Sequence, residues 1–324
     1  MSDSPADPLS IVADIGGTNT RVALARRDVV DTASIERFRN AEHRGLEEVL
    51  RAYLSHRGNP AVAAACVAVA GPVHDGHAAM TNLDWRMDKT TLEHATGATT
   101  VALLNDLQAQ GHALDHIDPD NLRLIVEGPE PGPHAAKLVI GVGTGFNAAP
   151  VYNTDTGRYV PPAEAGHANL PLRTEADFRL ARFIETTHGF PAVEEVLSGR
   201  GLSHVYAWLG HEVGDDRTAD AAAVMAALKA GTDPRAREAT EIFVRMLGMV
   251  AGNLTLETLP FGGVYLIGGV TRAITPYLAE MGFAAAFRDK GRFGPFLEQF
   301  SVSVVEDDYA ALVGCAGHLD GLMH

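Results

Sequence analysis

The chain has 324 residues and a formal net charge of −15, with 46% hydrophobic and 6% aromatic residues. That apolar content fills ordinary cores and excludes a disordered chain, and the length suits two α/β lobes or one large unit. The acidic balance excludes nucleic acid and anionic membrane as partners, so an anionic ligand would need backbone N–H groups and a metal ion rather than a basic surface.

Residues 1–8 read as a disordered tail, and no basic stretch followed by an apolar run marks a leader there, as expected of a cytoplasmic protein. SIVADI and RVALARR then read as strands flanking a Gly-Gly turn, GGTNT. Leu46, Val49, Leu50, Tyr53 and Leu54 have helical spacing. The longest apolar run, Ala61 to Ala70, is too short to span a bilayer and reads as a buried strand. VALLNDL starts as a strand and runs into a helix, QAQGHALDHI. After a Pro/Gly loop, EGPEPGPH, a second strand–glycine–strand unit follows: KLVIGV, then GTGFN, then AAPVY. Helices dominate from Glu175 to about Leu259. VYLIGG is a strand ending on a glycine pair before a helix, ITPYLAEMGF, and SVSVVED is a last strand before the closing helix YAALVGCAGHL. Cys66 and Cys315 lie in small apolar runs and read as buried free thiols.

Five groups of residues carry chemistry. Asp14 precedes the turn Gly16-Gly17-Thr18-Asn19, where missing Cβ atoms let phosphate approach backbone N–H groups, Thr18 adds a hydroxyl, and Asp14 can orient a hydrated Mg2+. No GKS or GKT stands at Walker spacing. Gly143-Thr144-Gly145 reads as a second phosphate-facing turn, because the helix that a dinucleotide fingerprint needs does not follow it. In Asn105-Asp106 the carboxylate can take a proton from an alcohol during phosphoryl transfer and Asn105 can bond sugar hydroxyls; a helix N-cap is the competing reading, and the favoured one in isolation. Glu164, His167 and Glu194 suit a polyol, whereas Glu164 and His167 alone are weak evidence for zinc. Gly268-Gly269 offers bare backbone to adenine or ribose, or is simply a tight turn. His74 and His77 flank a hairpin turn, and His112 and His116 read as surface histidines.

The order of ADIGGTNTRVALA, TNLDW, LLNDLQA, GVGTGF, EAGH, EEVLSGRGL, GNLTLETLPFGGVYLIGGV and FRDKGRF resembles the bacterial glucokinase family from about Ile11 to Leu319. The resemblance implies a two-lobed α/β actin/hexokinase-like (ribonuclease H-like) fold, with a small domain at 9–110 plus 307–324 and a large one at 111–306, closing on a hexose with ATP between them. It implies Asp106 as catalytic base, and Asn105, Glu164, His167 and Glu194 on sugar hydroxyls. It also implies residues 13–18 and 143–145 on the phosphates, Gly268 and Gly269 by adenosine, Mg-ATP as donor and a homodimer. Two departures stand beside the inferred sugar pocket: Ala165 where the family usually has glycine, and Phe146-Asn147 in place of Leu-Gly. The related repressor/kinase group usually carries a cysteine cluster after its Gly-His pair, and here no cysteine follows His167 until Cys315. A sugar-binding regulator would need a DNA-binding module, for which the first strand near Leu9 leaves no room. An actin-like ATPase would leave Asn105-Asp106, Glu164, His167 and Glu194 without a task.

Overall fold

The structure, a computed structural model, describes residues 7–80, 83–155 and 157–323. Most of the expected tail, and Thr81 and Asn82 of TNLDW, lie outside the described residues. The chain divides into two compact units, Met1–Pro119 with Asn153–Pro162 and Asp307–His324, and Asp120–Tyr152 with Ala163–Glu306.

The first unit opens with β1 (Leu9–Ile15), β2 (Asn19–Arg26), β3 (Val29–Val30) and β4 (Glu36–Arg39), followed by α1 (Leu46–His56) and β5 (Ala64–Val69). A small hairpin sheet of β6 (Val73–His74), β7 (His77–Ala79) and β8 (Arg86–Asp88) leads into α2 (Lys89–Thr96), β9 (Thr100–Asn105) and α3 (Asp106–Ala113). The main sheet has the order β3-β2-β1-β5-β9, with β4 also on β2. β1 and β2 are antiparallel across the Gly-Gly turn, whereas β5 lies parallel to β1, and β9 to β5. β5 is buried along its whole length, and its side chains alternate between two cores as the strand period requires. Ala65, Val67 and Val69 meet Val49, Leu50 and Tyr53 of α1 and Leu92 of α2.

The second unit is built from β10 (Leu122–Val126), β11 (Lys137–Val142) and β12 (Phe146–Thr154), the last running out into β13 (Gly157–Tyr159) of the first unit. Then come α4 (Glu175–His188), α5 (Gly199–Glu212), α6 (Ala221–Ala230), α7 (Pro234–Thr258), β14 (Val264–Ile267), α8 (Gly269–Ile274), α9 (Phe283–Arg288) and β15 (Val302–Val305). Its sheet runs β10-β15-β14-β11-β12, with β11, β14 and β15 parallel. Thr174, Ser198, Asp220 and Asp233 cap α4, α5, α6 and α7 by accepting backbone N–H bonds that the first turn leaves unmade. One contiguous core, including Leu138, Ile140, Leu180, Phe243, Leu247, Leu266, Phe283 and Phe287, joins sheet and helices.

The chain closes with α10 (Ala310–Met323), which packs on the other face of the first sheet. There Ala64, Cys66, Ala68 and Ala102 meet Ala311, Leu312, Cys315 and Ala316, so small side chains bring helix and sheet close. Both cysteines are buried free thiols, as expected. No helix among the described residues is long and apolar enough to cross a membrane.

Several expectations need correction. The second glycine turn is only Gly143–Gly145, since Phe146 and Asn147 already pair with Val142 and Gly141. The helix after β14 starts at Gly269 and ends at Ile274, ahead of Pro276, which has no N–H to continue it. His112 is not a surface histidine: it is 7% exposed, its ring lies 4.5 Å from that of His318 on α10, and burial with that neighbour pushes its pKa down to about 3. The helix was read correctly, but α10 covers the face on which His112 lies.

α10 reaches α3 this closely because residue 314 is glycine: a Cβ there would stand 1.6 Å from the Ala109 carbonyl oxygen. We expect Gly314→Ala to destabilise the protein by about 3 kcal/mol, since backbone would have to move. Chemical denaturation checks this, and a change under about 0.5 kcal/mol would show that the two helices are not locked together.

Candidate active site

The candidate residues divide between the two units. In the first unit, the turn between β1 and β2 is held by Gly16 N–H donating to Asn19 O at 2.9 Å. Asn40 staples it from outside: its Nδ2 donates to Gly16 O at 2.8 Å, its N–H to Thr18 O at 3.0 Å, and its Oδ1 accepts from the Thr20 hydroxyl at 2.8 Å. Gly17 and Thr18 are exposed at the tip, leaving their backbone accessible to an anion. Asp14 is half-buried and faces Arg21 on β2, with Oδ2 3.6 Å from Nη1. Burial pushes its carboxyl up from the ordinary range, and the Arg21 charge pulls it back down.

Asn105 ends β9 and Asp106 begins α3. Of the two, it is Asn105 that caps the helix. Its Oδ1 accepts from Gln108 N–H at 2.8 Å, and Gln108 Oε1 accepts from Asn105 N–H at 3.1 Å. Asp106 is therefore the first helical residue, half-buried, with Oδ1 accepting from Leu107 N–H at 2.8 Å. A carboxylate at that position is favoured by the helix dipole. The register Ile15↔Val69↔Asn105 puts the β1–β2 turn and the start of α3 at the same end of one sheet, two strands apart, or about 10 Å.

In the second unit, Glu194 lies at the centre of a cluster. Its Oε2 accepts from Phe146 N–H at 2.8 Å, its backbone N–H donates to Gly166 O at 2.9 Å, and its Oε1 is 3.2 Å from Arg200 Nη2. The turn 143–145 closes by Gly143 N–H to Gly145 O at 2.9 Å and is tied to α5 by Gly199 N–H to Gly143 O at 2.8 Å. Gly268, at φ 110°, lies against Val142, and Gly269 starts α8 with open space where a Cβ would be, as at Gly143. Glu164 and His167 are both exposed, with Oε2 and Nε2 3.9 Å apart.

The structure thus brings Glu164, His167, Glu194 and both glycine pairs of the second unit into one neighbourhood, and groups Asp14, residues 16–19 and Asn105-Asp106 in the first. Sequence reasoning missed Asn40, which lies 24 residues from the glycine it holds and carries no local signal. It also missed Arg200, which was visible inside EEVLSGRGL. The two departures have structural tasks. Asn147 Nδ2 donates to Ala163 O at 2.5 Å, and its Oδ1 accepts from Ala148 N–H at 2.8 Å and Ala165 N–H at 3.0 Å. Ala165 packs against the second unit's core.

A glucokinase family model matches residues 11–321. The glucokinase of Chromohalobacter salexigens is 34% identical over 308 residues, covering 94% of this chain and 95% of that one. The glucokinase of Saccharophagus degradans is 32% identical over 316 residues, 96% of this chain and 98% of its own. Among solved structures, a glucokinase from an Antarctic psychrotroph superposes with a TM-score of 0.85 at 30% identity, over 96% of this chain and 98% of that one. A ROK family glucokinase from Streptomyces griseus, in complex with glucose and AMPPNP, has a TM-score of 0.64 at 21% identity, a likeness of fold alone. The α/β fold is that of the glucokinases and ROK hexokinases, as the motifs led us to expect, and the chain belongs to the glucokinase family.

Proposed function

We propose that this protein transfers the terminal phosphoryl group of ATP to the C6 hydroxyl of a hexose, with glucose as the principal acceptor. The observation that carries the reading is the Glu194 cluster: two sugar-type carboxylates and an imidazole beside a glycine turn that offers backbone to phosphate. An actin-like ATPase or a sugar-binding regulator has no use for that set together with a carboxylate at the head of α3.

In this reading Glu164, His167, Glu194 and the Asn105 amide bond the sugar hydroxyls. Asp106 accepts the C6 hydroxyl proton as that oxygen forms its bond to the γ-phosphorus, the bond from phosphorus to the β,γ-bridging oxygen breaks, and ADP leaves. The exposed Gly17, Thr18 and Thr144 at the tips of the two turns suit phosphate oxygens, and the open space at Gly269 suits adenosine. Mg2+ would be held through water by Asp14, whose hard oxygen donors suit it, and would offset phosphate charge. We extend the proposal to a cytoplasmic homodimer, following the family resemblance.

Asp106→Asn is expected to lower kcat by about 10²–10⁴-fold while leaving hexose binding nearly intact, as read by steady-state kinetics alongside calorimetric sugar binding. Near-normal turnover would remove Asp106 from the role of base. Glu194→Gln should raise KM for glucose by tenfold or more, on the order of 1.5–3 kcal/mol for a charged hydrogen bond, and an unchanged KM would place the sugar elsewhere. Coupled assays with glucose, mannose, fructose, glucosamine and N-acetylated sugars should show glucose first. No sugar-dependent ATP turnover across that panel would overturn the kinase reading.

A further inference from the structure

The connection from α4 to α5 gathers three groups that the phosphoryl-transfer reading does not use. His188 ends α4, Glu195 lies in the loop and His204 is on α5. The two imidazoles stack with centroids 3.7 Å apart and planes 19° apart. His204 Nδ1 lies 3.0 Å from the Glu195 carbonyl oxygen and 3.4 Å from Glu195 Oε2. One ligand atom of each residue lies within 4.8 Å of the other two, and among the described residues this is the one such group of three His, Cys, Asp or Glu side chains.

We propose that His188, Glu195 and His204 form a site for a divalent transition metal of the zinc class. Two imidazoles and a carboxylate are a donor set that such an ion takes, with a fourth position left for water. Bonds of about 2.0–2.2 Å place tetrahedral ligand atoms about 3.3–3.6 Å apart. In the structure the three ligand atoms lie within 4.8 Å of one another, and His204 Nδ1 is 3.4 Å from Glu195 Oε2. Closing the remaining gap falls to His188, which lies at an exposed helix end. An outer partner is also present. Arg200 Nη2 donates to Glu195 Oε1 at 2.8 Å, which holds that oxygen away and turns Oε2 towards the imidazoles.

The sequence hid this site because its ligands come from a helix end, a loop and the next helix, with spacings of seven and nine residues that match no short metal motif. The proposal does not rest on the hexose chemistry, and each can fail alone. Tag-free full-length protein, stripped with a chelator, is titrated with Zn2+ by calorimetry and with Co2+ by visible absorption. The expected result is a single equivalent of Zn2+ bound, an intense Co2+ band of the four-coordinate type, and at least about tenfold weaker binding in His188→Ala and Glu195→Gln. His134→Ala, an exposed histidine outside the cluster, should change nothing. His188→Ala is the decisive variant because removing an exposed ring leaves no cavity. Failure of the unaltered protein to bind either ion, or binding that survives both His188→Ala and Glu195→Gln, overturns the site.

Discussion

Glu194 lies against the 143–145 turn only because two glycines leave room for it. A Cβ at Gly145 would stand 2.5 Å from Glu194 Oε2, and one at Gly166 would stand 2.1 Å from the Phe146 carbonyl oxygen. With both absent, three separate stretches of chain meet at one carboxylate: the end of β11, the Glu164–His167 turn and the approach to α5. Phe146 N–H, the Arg200 guanidinium and the Gly166 carbonyl then hold residue 194 from three sides. The two glycines thus serve to place an acidic side chain.

The first unit reaches a comparable result by other means. Asp14 lies near the end of β1 and Asp106 directly follows β9, and both strands run parallel to β5, so their separation is set by strand spacing rather than by loop conformation. Behind them, α3 is held by α10, where Gly314 lets the helix close on the Ala109 carbonyl and the His112 and His318 rings meet at 4.5 Å. Gln108 completes the hold: it closes the cap with Asn105 and donates from Nε2 to Val160 O at 2.8 Å. The head of α3 is therefore rigid at both ends of a short helix.

Much of this was legible in the chain. The strands SIVADI, RVALARR, VALLN, KLVIGV, VYLI and SVSVV and the helix α1 lie within a few residues of their observed bounds, because each declares itself over a local window, whereas α2, α9 and the separate bounds of α4 to α7 were not read. The two glycine turns were likewise recognised as strand–strand connections. What escaped was every feature made by distant residues. The role of Asn40 at the first turn, the burial of His112 under α10 and the joint hold of Arg200 on Glu194 and Glu195 depend on chain segments meeting in space. The cap reading of Asn105-Asp106 was locally sound, and the structure gives the cap to one residue and leaves the other at the first helical position. The Glu164, His167 and Glu194 set needed the order of motifs along the chain, since no single stretch distinguishes a sugar carboxylate from a solvated one.

Asn147 stood out in the sequence as polar atoms added beside a sugar pocket, yet its amide is engaged with three backbone groups at residues 148, 163 and 165. A glycine in that place would leave the loop carrying Glu164 to sample many shapes before sugar binding selected one. On the proposed sugar-binding role of Glu164, a fastened loop gives up less conformational freedom when the sugar binds, so more of the contact energy appears as affinity. On the same proposal the tether would narrow the range of acceptors: a loop that cannot widen accommodates a bulky substituent on the ring less readily, and selectivity would follow from stiffness rather than from an added contact.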